Sequence, residues 1–415
     1  MTAFGKRGRL AVTLLALAAT IAACNGGGSD GDGSPPASLL PPVVSNTTAI
    51  SVDAGPPGLS YIEANVPFVT VTVCSPGSSA NCQTIDHIVL DTGSSGLRLI
   101  SGAVSASLSL PSQRDARGAP IGECVRFADG SFVWGSVRTA DIRIADQRAA
   151  SAAIQLIGDA ALPAVPPGCN GIPSNTVETF GAKGILGVGY FREDCGSFCA
   201  QSAFNGQYYS CPASGCVGAA VAQAQQVVHP VALFASNNNG VLISLPAVPA
   251  GGSATASGSL TFGIGTQSNN TLGAAKVFRV DPFSGYLTTV FRGLTHPYSL
   301  IDSGSTALFL PFAVNIPVCP GTDPVAPGYL CPAVTQNLSA FIQGANGTAE
   351  SVNFSVANAA ALLASFQLTA FSNLAAPSFD PQGFNWGLPF FYGRNVYTAI
   401  EGANTPGGVG PFVAF

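Results

Sequence analysis

The sequence predicts an all-β, loop-rich fold, and three of its features carry that prediction. Glycine (49) and proline (31) make up about a fifth of the 415 residues, a frequency of chain breakers that rules out long helices and coiled coils. Only 9% of the side chains are charged while 47% are hydrophobic, so the bulk of the chain can bury a core and is not disordered. The apolar runs are short and broken by Gly, Pro, Ser or Asn, as strands of a sheet core are. The best helix candidate, 357–366, is too short to cross a membrane. The length supplies two to three domains' worth of core.

Sixteen basic against 21 acidic side chains, with only three lysines, argue against nucleic acid as a partner. The N-terminus reads as an address. Lys6, Arg7 and Arg9 form a positive region, and Leu10 to Ala23 is an apolar stretch too brief for a conventional span. It ends in Ile21-Ala22-Ala23-Cys24, which resembles the bacterial lipobox, where cleavage leaves a lipid-bearing cysteine. The expectation is a signal peptide over 1–23, lipidation of Cys24, and a flexible Gly/Ser/Pro tether over 24–59. Asn25 rather than Asp follows the cysteine, which in lipoproteins favours the outer membrane. The expected place is the bacterial envelope, periplasmic or surface face, with membrane contact through the lipid alone. An ordinary secretory signal with an incidental Cys24 is the alternative. Losing Lys6, Arg7 and Arg9 leaves 13 basic against 21 acidic side chains, a mature charge of about −8.

Ten cysteines remain beyond Cys24, an even number that suits an oxidising compartment and disulfides. Cys74 and Cys82 flank a turn-rich segment, and Cys319 and Cys331 bracket a Pro/Gly-rich loop, so each pair reads as a bridge. Cys195, Cys199, Cys211 and Cys216 resemble a zinc site at first sight. They contain no CxxC pair, and the three histidines (His87, His229, His296) lie elsewhere. Disulfides are the better reading, with Cys124–Cys169 as one candidate pair. Connectivity in the central group stays open, and no metal or cofactor is expected.

An internal repeat carries the chemistry. His87-Ile88-Val89-Leu90-Asp91-Thr92-Gly93-Ser94-Ser95 is echoed 211 residues later by Tyr298-Ser299-Leu300-Ile301-Asp302-Ser303-Gly304-Ser305-Thr306. Each copy is an apolar strand that delivers a carboxylate to a tight glycine turn, followed by a second apolar run (Leu97 to Ile100; Ala307 to Leu310). Glycine allows close backbone approach, and the neighbouring hydroxyls can hydrogen-bond the carboxylate or brace the turn. One Asp-Ser-Gly turn is a common surface loop; two in matched apolar settings are a constellation.

With this repeat the chain resembles the pepsin-like aspartic proteases, and within them bacterial lipoproteins of unassigned function. Phe68 to Val73, a hairpin, and Ile85 to Leu90 are similar to the family's opening ribbon. Phe127-Ala128-Asp129-Gly130-Ser131, followed by Val133 to Val137, resembles the flap that closes over substrate. Gly184 to Tyr190 and Asn385 to Phe391 resemble the two apolar-apolar-Gly strands threaded behind the aspartate loops, and Tyr397 to Gly402 resembles the closing strand. The resemblance implies two pseudo-symmetric β-barrel-like lobes, 60–250 and 251–415, with a cleft between them. It implies Asp91 and Asp302 as the catalytic pair, supported by Gly93 and Gly304. Ser94 and Ser305 would hydrogen-bond the outer carboxylate oxygens, and Thr92 and Ser303 would link the loops.

Two departures stand out. Most relatives carry a flap Tyr where this chain has Phe127, and a Trp where it has Arg98. Both partners of one hydrogen bond are absent together, which orphans no buried donor. Arg98 either faces a polar or acidic substrate group in a rebuilt pocket or snorkels to solvent. Asp129 can steer a basic substrate, though Asp129-Gly130 is first a turn signal. His87 and His296 precede the aspartates at similar offsets but no G-x-S-x-G elbow accompanies them, so both read as structural. Tyr208 and Tyr209 read as exposed residues of a stapled loop.

Three functions follow. The first is an acid-active endopeptidase, a monomer cutting extended polypeptide in the interlobe cleft. The second is a catalytically silent scaffold that binds a protein or polysaccharide, similar to the plant xylanase inhibitors. The third is a purely structural surface lipoprotein. The stretch 41–60 is short for an inhibitory propeptide and lacks basic residues, so no zymogen is expected.

Overall fold

The computed structural model describes residues 46–203, 206–311, 315–378 and 380–415. The expected signal peptide, Cys24 and the tether as far as Ser45 lie outside the described residues.

The first half is built from β1 (Thr47–Val52), β2 (Pro67–Cys74), β3 (Cys82–Asp91), β4 (Ser95–Ile100), β5 (Ile121–Arg126), β6 (Ser131–Ile144), β7 (Gln147–Ile157), β8 (Ile172–Pro173) and β9 (Gly184–Val188). The strand β2 shows why these segments are strands. Val69, Val71 and Val73 alternate onto one face and are buried there, and β-branched side chains suit the pleat. The 14-residue β6 pairs with β2, β5 and β7 and so curls this part of the sheet toward a barrel. A cysteine-rich insert adds β10 (Tyr208–Ser210) and β11 (Val217–Gly218) beyond β5.

The same sheet runs through β1 into β12 (Gly240–Leu245), β13 (Ala256–Phe262) and β14 (Val277–Arg279). A second, seven-stranded sheet holds β15 (Leu287–Phe291), β16 (Leu294–Ile301), β17 (Leu308–Leu310), β18 (Gln336–Gln343), β19 (Ala349–Val356), β20 (Ala375–Pro377) and β21 (Asn385–Trp386). The chain then returns as β22 (Arg394–Ala399) and the terminal strand Phe412–Ala414 to pair beside β12 and β14. Residue 250 lies in the connection between β12 and β13, which are hydrogen-bonded neighbours. A shared sheet, not a linker, joins the halves. One apolar cluster extends from Ile50, Leu90 and Leu186 through Leu245 to Ile301, Leu310 and Trp386.

The all-β class holds, and the longest helix among the described residues, Gly196–Gln201, has six residues. No helix among them is long and apolar enough to cross a membrane. The disulfides are Cys74–Cys82, Cys124–Cys169, Cys195–Cys199, Cys211–Cys216 and Cys319–Cys331, which completes the pairing left open for the central group.

Two expectations are corrected. The tether does not extend to residue 59, because Thr47 to Val52 pair along their whole length with β13. Ile50 and Val52 alternate into the core there, a six-residue signal hidden in a polar stretch. Tyr208 and Tyr209 are buried rather than exposed, because β10 packs onto β5 and Tyr209 meets the Trp134 ring edge-on.

Candidate active site

Both aspartate turns stand on the same scaffold. Strand β3 delivers Asp91, β4 leaves the turn, and β9 threads between them, parallel to β3 with Asp91 opposite Gly187 and antiparallel to β4. In the second half β16 delivers Asp302, β17 leaves, and β21 threads between, parallel to β16 and antiparallel to β17. The strands pull each carboxylate to the end of a buried ladder and stop there, because the glycine turn breaks the pairing.

Local hydrogen bonds are duplicated too. Gly93 N–H donates to Asp91 Oδ1 at 2.7 Å, and Gly304 N–H to Asp302 Oδ1 at 2.9 Å. The Ser94 hydroxyl donates to Asp91 Oδ2 and the Ser305 hydroxyl to Asp302 Oδ2, the latter at 2.6 Å. The loops interlock: a Cβ on Gly93 would lie 2.8 Å from the Asp302 carboxyl, and one on Gly304 would lie 2.5 Å from Asp91 Oδ1. Glycine is required at both positions for this contact, not for its backbone angles. Below the carboxyls, Thr92 Oγ1 donates to Ile301 O and Ser303 Oγ donates to Leu90 O, at 3.0 and 2.8 Å.

The turns thus bring Asp91 and Asp302 together, with the glycine of each turn backed onto the carboxyl of the other. Asp91 is pushed well above the usual carboxylate range, first by burial and then by the Asp302 carboxyl beside it. Ser94 and the Gly93 N–H pull the other way. Gly93 is exposed, so solvent reaches the loop.

A family described as "protein of unknown function (DUF3443)" matches residues 42–415. The chain belongs to this family. No curated protein matches it. The crystal structure of the aspartic proteinase from Irpex lacteus is similar to this DUF3443 chain at 15% identity and a TM-score of 0.46, over 89% of this chain and 96% of that one.

Arg98 is corrected in this DUF3443 chain: it faces neither a substrate pocket nor solvent. It is 2% exposed and donates to Glu123 Oε1 at 2.8 Å, Asp194 Oδ2 at 2.7 Å and Ser95 O at 2.8 Å. Its long side chain runs under the first turn to two acids that the sequence left unremarked. Tyr208 donates to Asp194 Oδ1 at 2.6 Å and Gln207 to Oδ2 at 2.8 Å, so the insert is tied to the same centre. Five residues from four separate segments meet there, which no local motif signals.

Phe127, Asp129 and Gly130 sit on the hairpin turn between β5 and β6. Asp129 Oδ1 accepts the Ser131 N–H at 2.9 Å and hydroxyl at 2.6 Å, so its carboxylate is engaged in the turn. Phe127 is half-buried beside Phe180, 6.1 Å between ring centroids. Cys124–Cys169 ties the base of this hairpin to the loop after β7. His87 lies between Asp53 and Asp86, edge-on to Phe68. Burial lowers the His296 pKa, and His296 is 4% exposed.

Two residues at the site carried no assigned role in the sequence. Asn385 Nδ2 donates to Ser305 Oγ at 2.7 Å and reaches Asp302 Oδ2 at 3.5 Å. Tyr190 is buried close enough to Asp302 for that charge, after burial itself, to raise its phenol pKa. A signal for Asn385 existed: by strand register it stands where the first threaded strand has the apolar Ile185.

Proposed function

We propose that this protein is an aspartic endopeptidase in which Asp91 and Asp302 share one proton and activate a water. The observation that supports this most is the reciprocal construction of the dyad: two turns with matching hydrogen bonds, each glycine backed onto the opposite carboxyl. The ionised carboxylate takes a proton from water as the oxygen attacks the scissile carbonyl carbon. The protonated carboxyl gives its proton to the carbonyl oxygen as that charge develops. Collapse of the diol breaks the C–N bond as the proton held by one carboxyl passes to the leaving amine and one diol hydroxyl returns its proton to the other carboxylate, which restores the singly protonated pair. Acid pH suits this, because a single negative charge on the pair is the working state. The substrate is an extended polypeptide lying between the halves. The resemblance of Ile21 to Cys24 to a lipobox supports a lipid anchor at Cys24 and a bacterial envelope location, with a Cys24→Ser chain released in soluble form.

A catalytically silent scaffold is the second reading, and one observation favours it. The β5–β6 hairpin has Phe127 where most pepsin-like proteases carry a Tyr, and it is pinned along β5 by Cys124–Cys169 and by β10.

The deciding experiment is hydrolysis of unfolded proteins by the Cys24→Ser chain, disulfides intact, from about pH 3 to 7. Asp91→Asn and Asp302→Asn run beside it. Cleavage that both substitutions abolish establishes the endopeptidase. A folded protein that cleaves nothing across the range establishes the scaffold.

A further inference from the structure

The two aspartate turns are built alike but are unequal in two places. Behind the first turn the threaded strand carries the apolar Ile185, and among the described residues no donor reaches Ser94 Oγ. Behind the second, Asn385 stands at the matching register, and its Nδ2 donates to Ser305 Oγ at 2.7 Å. That hydroxyl donates in turn to Asp302 Oδ2 at 2.6 Å, and Asn385 Nδ2 itself stands 3.5 Å from the same oxygen. The second inequality is exposure: Asp91 is 6% exposed, whereas Asp302 is half-buried.

The amide fits only one way round. Ser305 has given its hydroxyl proton to Asp302, so its oxygen can only accept. A reversed Asn385 would set its carbonyl against that oxygen and the carboxylate. The orientation that avoids this leaves Asn385 Oδ1 buried without a partner, a cost that an apolar side chain such as Ile185 does not carry. What the amide adds in return is a donor. A chain from amide to hydroxyl to carboxylate polarises each bond in turn and favours the ionised form of its last member. Asp91 lacks the first link and sits deeper, where burial penalises charge, and burial is the first cause that holds its pKa up. The other titratable group facing Asp302 is Tyr190, a phenol on the segment after β9. Among the described residues no cation pairs with either carboxyl.

We infer that Asn385, acting through Ser305, is a positioning residue that makes Asp302 the ionised member of the pair and Asp91 the protonated one. The charge assignment stands by itself, while its catalytic meaning rests on the endopeptidase reading. In that reading Asp302 takes the proton of the water and Asp91 protonates the carbonyl oxygen. Asp302 then passes its proton to the amine, and Asp91 recovers one from the diol.

The Cys24→Ser chain, labelled with carbon-13 at the aspartate carboxyls, is titrated from about pH 2 to 7 by nuclear magnetic resonance. The two signals are assigned by their loss in Asp91→Asn and Asp302→Asn. The pair gives up its protons in two steps, and Asp302 is expected to show the larger part of its change at the lower one. Asn385→Leu is expected to narrow the difference, with Asn385→Val in its place if the leucine variant fails to fold. Ser305→Ala, which cuts the relay, is expected to act in the same direction, and Ser94→Ala in the opposite one. Hydrolysis is the second readout. The acid limb of kcat/KM is expected to move up by about one pH unit in Asn385→Leu, with KM changed less than about twofold. A residue that only packed would lower kcat at every pH and leave the limb in place. A parent that cleaves nothing sinks the endopeptidase reading, and the titration still decides the charge. Asp91 taking the larger part of the lower step, or no narrowing in the Asn385 variants, overturns the inference.

Discussion

Thr92 and Ser303 hold each other across the two halves of the chain. Ser303 Oγ accepts the Thr92 N–H at 3.1 Å, and Thr92 Oγ1 accepts the Ser303 N–H at 3.0 Å. Each hydroxyl then donates onward to the strand that delivers the opposite aspartate. Two residues 211 positions apart in sequence therefore fix the register of one carboxyl against the other.

Ser303→Ala removes a hydroxyl that serves one buried N–H and one buried carbonyl. Leaving both unpaired is expected to cost about 2–4 kcal/mol of stability, read by urea unfolding. Thr92→Ser keeps the hydroxyl and is expected to cost about 1 kcal/mol, the worth of one buried methyl. Equal losses in the two variants would show that the cross-link is not what matters.

Gly304→Ala places a methyl 2.5 Å from Asp91 Oδ1, so one loop must move. Any hydrolysis is expected to fall at least 100-fold while the fold survives, because misplacement by about an ångström at reacting groups has that effect. The variant's activity and its near-ultraviolet circular dichroism test this together. Retained activity would mean that the turns are not held in contact.

Arg98→Met leaves Glu123 and Asp194 buried with no cation between them. A loss of about 3–5 kcal/mol is expected in denaturant unfolding. Adding Glu123→Gln and Asp194→Asn removes the stranded charges and is expected to restore most of it. If Arg98→Met alone is as stable as the parent, the ion centre contributes only packing.

The same centre makes stability depend on pH. Asp194 is held well above the usual carboxylate range by burial first, then by the Glu123 charge and a hydrogen bond shared with that carboxyl, with Arg98 and Tyr208 opposing. A folded value above the unfolded one means that the folded state binds the extra proton. That stabilisation is complete below about pH 4 and is lost as pH rises through the folded value. Asp194→Asn removes it, so the parent is expected to lose ground against this variant between pH 5 and pH 8. Thermal midpoints of both proteins at the two values measure the change. A gap that stays constant with pH sinks the assignment.

Much of the site was legible because its information is local and duplicated. Asp91 and Asp302 each sit in a short run where an apolar strand meets Asp, a hydroxyl residue, Gly and Ser, and the run occurs twice. Cys74–Cys82 and Cys319–Cys331 were legible for a similar reason, since each bridge closes one short loop. Arg98 was not. Seven residues after Asp91 it looks like a position in the pocket wall, and its true side-chain partners come from β5 and the segment after β9, the latter held in turn by the insert. Asn385 and Tyr190 reach the dyad only because threaded strands pass behind the turns.

The sequence by itself determined the class of fold, the two carboxylates and the residues that brace them, because strand alternation and turn chemistry act over a few neighbours. Tertiary structure alone decided which way Arg98 points and that Thr47 to Val52 belong to the body. Those outcomes depend on what the chain brings alongside from a hundred or more residues away. Burial and the choice of partner are properties of the assembled surroundings, and no stretch of sequence carries them.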